Sequence, residues 1–209
     1  MKIDIIKNMD NNKTMIITLN TLNYNLKEAQ ILTEKYIENN IDFLNLDIIS
    51  YTQILSEDFI RRYKDKLNWK GITRTQELSE EFIIEFKDYI SWVDVAYHQN
   101  LSEDFIIKYQ DKLIWTDISI HQNLTESFIR RFQNKLDFDL ISICQKLTND
   151  FIKEFKDKVN PEYIYRYQDI DLYDFKKIFK KFKFEDEPVK IRRKHERKIY
   201  IEIYDKYNF

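Results

Sequence analysis

The chain has 209 residues, 43% of them hydrophobic, and a formal charge of −2. That is enough apolar material for one core or one continuous array, and too little positive charge for a polycation built on nucleic acid. One glycine and two prolines disfavour tight-turned sheets and glycine-rich phosphate loops, and the single cysteine, Cys144, excludes an internal disulfide.

Residues 1–31 match no repeat. "KIDIIKN" and "KTMIITLN" flank "MDNN" and predict a small β-hairpin, after which "LKEAQILTEKYI" predicts a helix leading onward. Charges interrupt the first apolar residues, so no signal peptide is expected. No stretch approaches the roughly 20 apolar residues that a membrane span needs. The expected location is a reducing compartment, the cytoplasm.

Residues 32–169 are six ungapped repeats of 23 residues, beginning at Leu32, Leu55, Leu78, Leu101, Leu124 and Leu147. Two of them read "LSEDFIRRYKDKLNWKGITRTQE" and "LSEDFIIKYQDKLIWTDISIHQN". Position 2 of each repeat is Thr33, Ser56, Ser79, Ser102, Thr125 or Thr148, all favoured helix N-caps. The acids that follow, such as Glu57-Asp58 and Glu103-Asp104, suit the positive end of a helix dipole better than acid–base catalysis. Apolar positions 1, 5, 9 and 13 then form one helical stripe, predicting a helix A of about 12 residues. Position 14 is an N-cap residue again in five of the six repeats, and Pro161 follows Asn160 at the first helical position. A short helix B is predicted there, with positions 15, 18 and 22 on its inward stripe. The Trp69, Trp92 and Trp115 column lies on that stripe and reads as core.

Position 22 is Gln53, Gln76, Gln99, Gln122, Gln145 and Gln168, six of the nine glutamines in the chain. An unpaired buried amide costs about 1–3 kcal/mol. The expected partners are the free backbone groups where helix B ends and the next helix A begins, since glutamine offers both donor and acceptor. A two-helix unit this short cannot bury its own apolar face, whereas stacked units can. The predicted fold is therefore all-α: an α-solenoid of six two-helix repeats with small non-repeat caps, in part β.

Residues 170–209 carry 12 basic and 8 acidic side chains. The lysine-rich stretch at 176–183 predicts an amphipathic closing helix, and "KIYIEIY" predicts a strand. The basic cluster Lys190, Arg192, Arg193, Lys194, Arg197 and Lys198 is a candidate nucleic-acid contact.

No P-loop, Rossmann, HExxH or GxSxG pattern is present, so no catalytic residue is assigned. His98, His121 and Cys144 share position 21. Stacked helices place such side chains about 8–10 Å apart, whereas zinc ligands lie about 2.0–2.3 Å from the ion. No metal and no cofactor are expected. Repeated positions build the scaffold, and the varied positions of helix B carry recognition. Those are Tyr97, Ile120 and Ile143 at position 20, flanked by His98 and His121, with Leu140 and Tyr163 at position 17. Position 20 also suits packing against the next helix, and the sequence does not separate these two uses.

The phrase "LSEDFI…DKL.W..IS..Q" resembles short helical repeats in uncharacterised proteins of large DNA viruses, phages and AT-rich bacteria. The likeness covers residues 32–169. It implies a non-catalytic scaffold that binds another protein, specifically a viral or phage protein sequestering a host factor in the host cytoplasm. It supplies no site residues.

Overall fold

The computed structural model describes residues 32–183, which contain thirteen α-helices and no strand. The N-terminal hairpin and the C-terminal strand expected from sequence both lie outside the described residues. The chain divides into two compact units between Gln99 and Asn100. In the first unit the helices are α1 (Glu34–Asn39), α2 (Leu46–Thr52), α3 (Glu57–Arg62), α4 (Trp69–Thr75), α5 (Glu80–Glu85) and α6 (Trp92–His98). In the second they are α7 (Glu103–Lys108), α8 (Trp115–His121), α9 (Glu126–Arg131), α10 (Phe138–Cys144), α11 (Asn149–Glu154), α12 (Pro161–Tyr167) and α13 (Leu172–Ile178).

Odd-numbered helices are helix A of successive repeats, and even-numbered helices are helix B. Within the first unit α2, α4 and α6 pack in sequence, and within the second α8, α10 and α12 do the same. The fold is an all-α helical repeat, stacked in solenoid fashion inside each unit.

Helix A is shorter than its apolar stripe suggests. It is α-helical for six residues and stops at the aromatic residue of position 9. Tyr63, Phe86, Tyr109, Phe132 and Phe155 all sit near φ −110° and ψ +20°, the bridge region. A tight turn continues from there, with the amides of Lys66, Lys112, Lys135 and Lys158 donating to the carbonyl three residues back. The turn still carries position 13 inward, so Leu67, Leu113, Leu136 and Val159 are buried. That is why the stripe of four apolar positions reads as one longer helix.

Every helix A begins with its expected cap. The side chains of Thr33, Ser56, Ser79, Ser102, Thr125, Thr148 and Asp171 each accept from the N–H three residues on. Helix B is capped likewise by Asn45, Asn68, Ser91, Asp137 and Asn160. The exception is α8, whose N-cap is Ile114 with no side-chain bond.

Helices of six or seven residues do not persist alone in water, because nucleation costs more than so few bonds return. Stability has to come from packing. Phe59, Phe82 and Phe151 at position 5 are fully buried, as are Ile60, Ile83, Ile106, Ile129 and Ile152 at position 6. Each such side chain contributes about 1.5–3 kcal/mol.

Replacing Ile114, which is half-exposed, by Asn should supply the missing cap of α8. The expected gain is about 1 kcal/mol in urea unfolding. A loss of stability in Ile114→Asn would contradict the cap assignment.

Candidate partner-binding face

The glutamines of position 22 are buried, between 3% and 7% exposed. Each ends a helix B with its own backbone extended, for example φ −94° and ψ 147° at Gln76. Its side chain turns to the junction before its own repeat. The Oε1 atoms of Gln53, Gln76, Gln99, Gln122, Gln145 and Gln168 accept from the N–H of Leu32, Leu55, Leu78, Leu101, Leu124 and Leu147 at 2.6 to 3.1 Å. The Nε2 atoms of Gln76 and Gln99 donate to the carbonyls of Gln53 and Gln76, and those of Gln145 and Gln168 to the carbonyls of Gln122 and Gln145.

This geometry follows from an extended backbone. In such a chain the C=O of one residue and the N–H two residues on point to the same side. A primary amide presents a donor and an acceptor at matching spacing. So the Gln76 side chain spans the Gln53-Ile54-Leu55 junction as a neighbouring strand would. Gln99, Gln145 and Gln168 also donate to the carbonyls of Thr73, Ser119 and Ser142 in the last turn of the preceding helix B. Those carbonyls are orphaned by the helix ending.

Two further bonds join neighbouring repeats. Hydroxyls at position 19, from Ser50, Ser119 and Ser142, accept from the N–H of the next helix-B caps, Asn68, Asp137 and Asn160. Carboxylates at position 3, from Glu57, Glu103 and Glu126, accept from the N–H of Ser79, Thr125 and Thr148 at 2.6 to 2.7 Å. The dipole preference is therefore one part of why those acids recur. Arg61 and Arg130 reach over the next repeat to Glu85 and Glu154, with each guanidinium 5.0 Å from the ring centre of Phe82 or Phe151. Such exposed pairs contribute under about 1 kcal/mol each. The Trp69 ring packs on Phe82 and Phe86, its N–H donating to the Lys64 carbonyl, and Trp115 packs on Phe128 and Phe132.

What remains is the varied surface of helix B. In the first unit, the Tyr51 ring lies against Gly71, where a Cβ would come within 3.0 Å of Tyr51 Cδ2 and Ser50 Cβ. Arg74 Nε donates to Asp94 Oδ1 at 2.8 Å, and the Asp94 side chain is nearly buried. Tyr97 is half-buried and His98 exposed, their rings 4.4 Å apart. Partial burial and the nearby Arg74 lower the His98 pKa from its ordinary 6.5, against the pull of Asp94. Stability present above about 6.5 is lost as pH falls through the unfolded value, because the unfolded chain then takes up the proton more readily.

In the second unit the structure changes the sequence reading. Leu140 was expected on the recognition face, and Ile143 either there or packed against the next helix; they are 0% and 5% exposed. They form a cluster with Tyr167, against which Ile120, Cys144 and Tyr163 pack partly buried. Position 17 of one helix B meets position 20 of its neighbour, so apolar residues at both simply pack together. Leu140 and Ile143 are core residues. Ile120, His121 and Tyr163 retain partial exposure.

Among the described residues no three His, Cys, Asp or Glu side chains come together as a metal site, and no helix is long and apolar enough to cross a membrane. The basic residues Lys190, Arg192, Arg193, Lys194, Arg197 and Lys198 lie outside the described residues. No protein family, no curated protein and no solved structure matches this chain. The position-19 hydroxyls were missed from sequence because they sit beside the apolar stripe. The glutamine phase also extends further than the six repeats. Gln30 stands 23 residues before Gln53, outside the described residues.

Substituting Gln145 by Leu removes three bonds and leaves the Leu124 N–H and two carbonyls buried without it. The expected cost is about 3 kcal/mol or more at 1–3 kcal/mol per orphaned group. Gln133→Ala, at a half-buried site whose side chain bonds Lys158, is the control and should cost under about 0.5 kcal/mol. Equal urea midpoints for the two variants would contradict the bridging role.

Proposed function

We propose that the chain is a non-catalytic helical-repeat scaffold that binds another protein through the varied face of its B helices. One observation carries this reading. The invariant positions are occupied in holding repeats together, whereas positions 17, 20 and 21 change chemistry from repeat to repeat on the same backbone. Tyr51 over Gly71, the Arg74–Asp94 pair, Tyr97 beside His98, and the Ile120 edge of an apolar cluster are four different surfaces. Rigid elements with varied side chains favour recognition, because little ordering entropy is lost on binding. Tyrosines with one apolar and one polar end suit such contacts. The resemblance to viral and phage repeats makes host proteins the first class of partner to screen.

The test is affinity capture with mass spectrometry, using the full chain, a Tyr97→Ala/His98→Ala variant and the Gln133→Ala control. A specific partner should be recovered by wild type and control, and reduced at least several-fold in the double variant. The same recovery by all three would remove this face from the account.

A further inference from the structure

Charged side chains on the A helices also join one repeat to the next, position 7 of one helix meeting position 8 of the following one. Glu38 pairs there with Arg62, Arg61 with Glu85 and Arg130 with Glu154. Two other joints have Ile84 and Ile107 at position 7, each followed by a base at position 8. Between α11 and α13 the same two positions are Lys153 and Lys177, a base followed by a base. A second contact changes in the same way. Lys135 and Lys158 at position 12 donate to Gln110 and Gln133 at position 10 of the repeat before. Lys181, at that register after α13, has Lys156 as its counterpart.

These lysines gather in one place. α11 and α13 pack together, and Lys153, Lys156, Lys177, Lys180 and Lys181 line one cavity of about 850 Å³. Ile178, Phe179 and Phe182 supply its apolar part. Among the described residues none of the five lysines forms an ion pair. Asp150, Asp157 and Asp174 also line the cavity, and Asp174 already accepts from Asn149 Nδ2 at 3.1 Å. Five lysines against three aspartates leave a net charge of +2.

Exposed lysines are ordinarily a solvated face, and a helix dipole favours a base in the last turn. Neither requires bases here, since Glu85 and Glu154 end their helices at the position that Lys177 holds in α13. Like charges gathered round one cleft repel, and an anion between them relieves the repulsion. We propose that the cleft between α11 and α13 binds a small anion bearing two or more phosphate groups. An ammonium group is an effective point-charge partner for phosphate oxygens. A net charge of +2 calls for more negative charge than a single carboxylate carries. The volume lies in the range of small-molecule sites, roughly 300–1,000 Å³. The site uses none of the B-helix residues and does not depend on the protein-binding reading.

The test is a titration of the full chain with inorganic tripolyphosphate at low salt, followed by backbone amide NMR. Saturable shifts are expected at Lys153 to Lys158 and Lys177 to Phe182. Lys156→Gln/Lys177→Glu gives this joint the residue types that others carry, Gln at position 10 and Glu at position 8. It should keep or raise the urea midpoint while binding weakens several-fold. Lys180→Gln/Lys181→Gln, at two exposed sites, should weaken binding with the midpoint unchanged. Arg192→Gln/Arg193→Gln/Arg197→Gln leaves the cleft lysines in place and should bind as wild type does. No saturable shift at these amides, unchanged affinity in both lysine variants, or loss of binding in the arginine variant would overturn the proposal. Binding of a single-stranded oligonucleotide but not of tripolyphosphate would overturn it too, because the lysines would then belong to a nucleic-acid surface.

Discussion

A primary amide spanning an extended backbone junction holds this fold together. Helices of six or seven residues leave most of their end groups without intrahelical partners, and each repeat contains two such helices. The junction between repeats is therefore dense in unpaired N–H and C=O groups at the place where the chain is buried. Water cannot serve them there, and a buried orphan costs more than a typical bond returns. Glutamine at position 22 resolves this: its acceptor takes the first N–H of each repeat, and at Gln76, Gln99, Gln145 and Gln168 its donor takes the position-22 carbonyl of the repeat before. Because the bridge spans the same three backbone residues each time, one repeat's geometry becomes the template for the next.

The other joining interactions are graded around this bridge. Hydroxyls of position 19 and carboxylates of position 3 serve the two remaining cap amides. Aromatic stacking of Trp69 and Trp115 on the next helix A adds apolar area with defined geometry. Arginine and lysine contacts at the rim are exposed and contribute least. Stability in such an array is a sum of repeat and nearest-neighbour terms, so a lost bridge acts at its own junction. The price of this arrangement is that most of each 23-residue repeat is committed to stacking, and recognition is confined to three or four positions on helix B.

Repetition explains what was legible in the sequence. A single glutamine on an apolar stripe would be ambiguous, but six in one phase require a shared structural reason, and only the ends of adjacent helices offer one. Caps were legible for the same reason. The length of helix A was not, because an apolar residue every four positions describes a helix followed by a tight turn as well as one longer helix. The bridge-region backbone at Tyr63 and its equivalents leaves no compositional trace. Leu140 was misread, and Ile143 left open between two uses, because variation among repeats has two causes, recognition and pairwise repacking. Tyr51 over Gly71 and Arg74 with Asp94 are covarying pairs within one chain. Seen as pairs, the same columns would have marked Leu140 as core.

Amide hydrogen exchange at Leu32, Leu55, Leu78, Leu101, Leu124 and Leu147 tests the central claim most directly. These N–H groups lie before the first turn of a helix and have no helical acceptor. Their bonds run to glutamine side chains. If the amide bridges hold the repeats together, all six exchange as slowly as the buried amides of Ile60, Ile83, Ile106 and Ile129. Exchange at the rate of open loop amides would show that the bridges do not persist, and the account of how this chain stacks would fail.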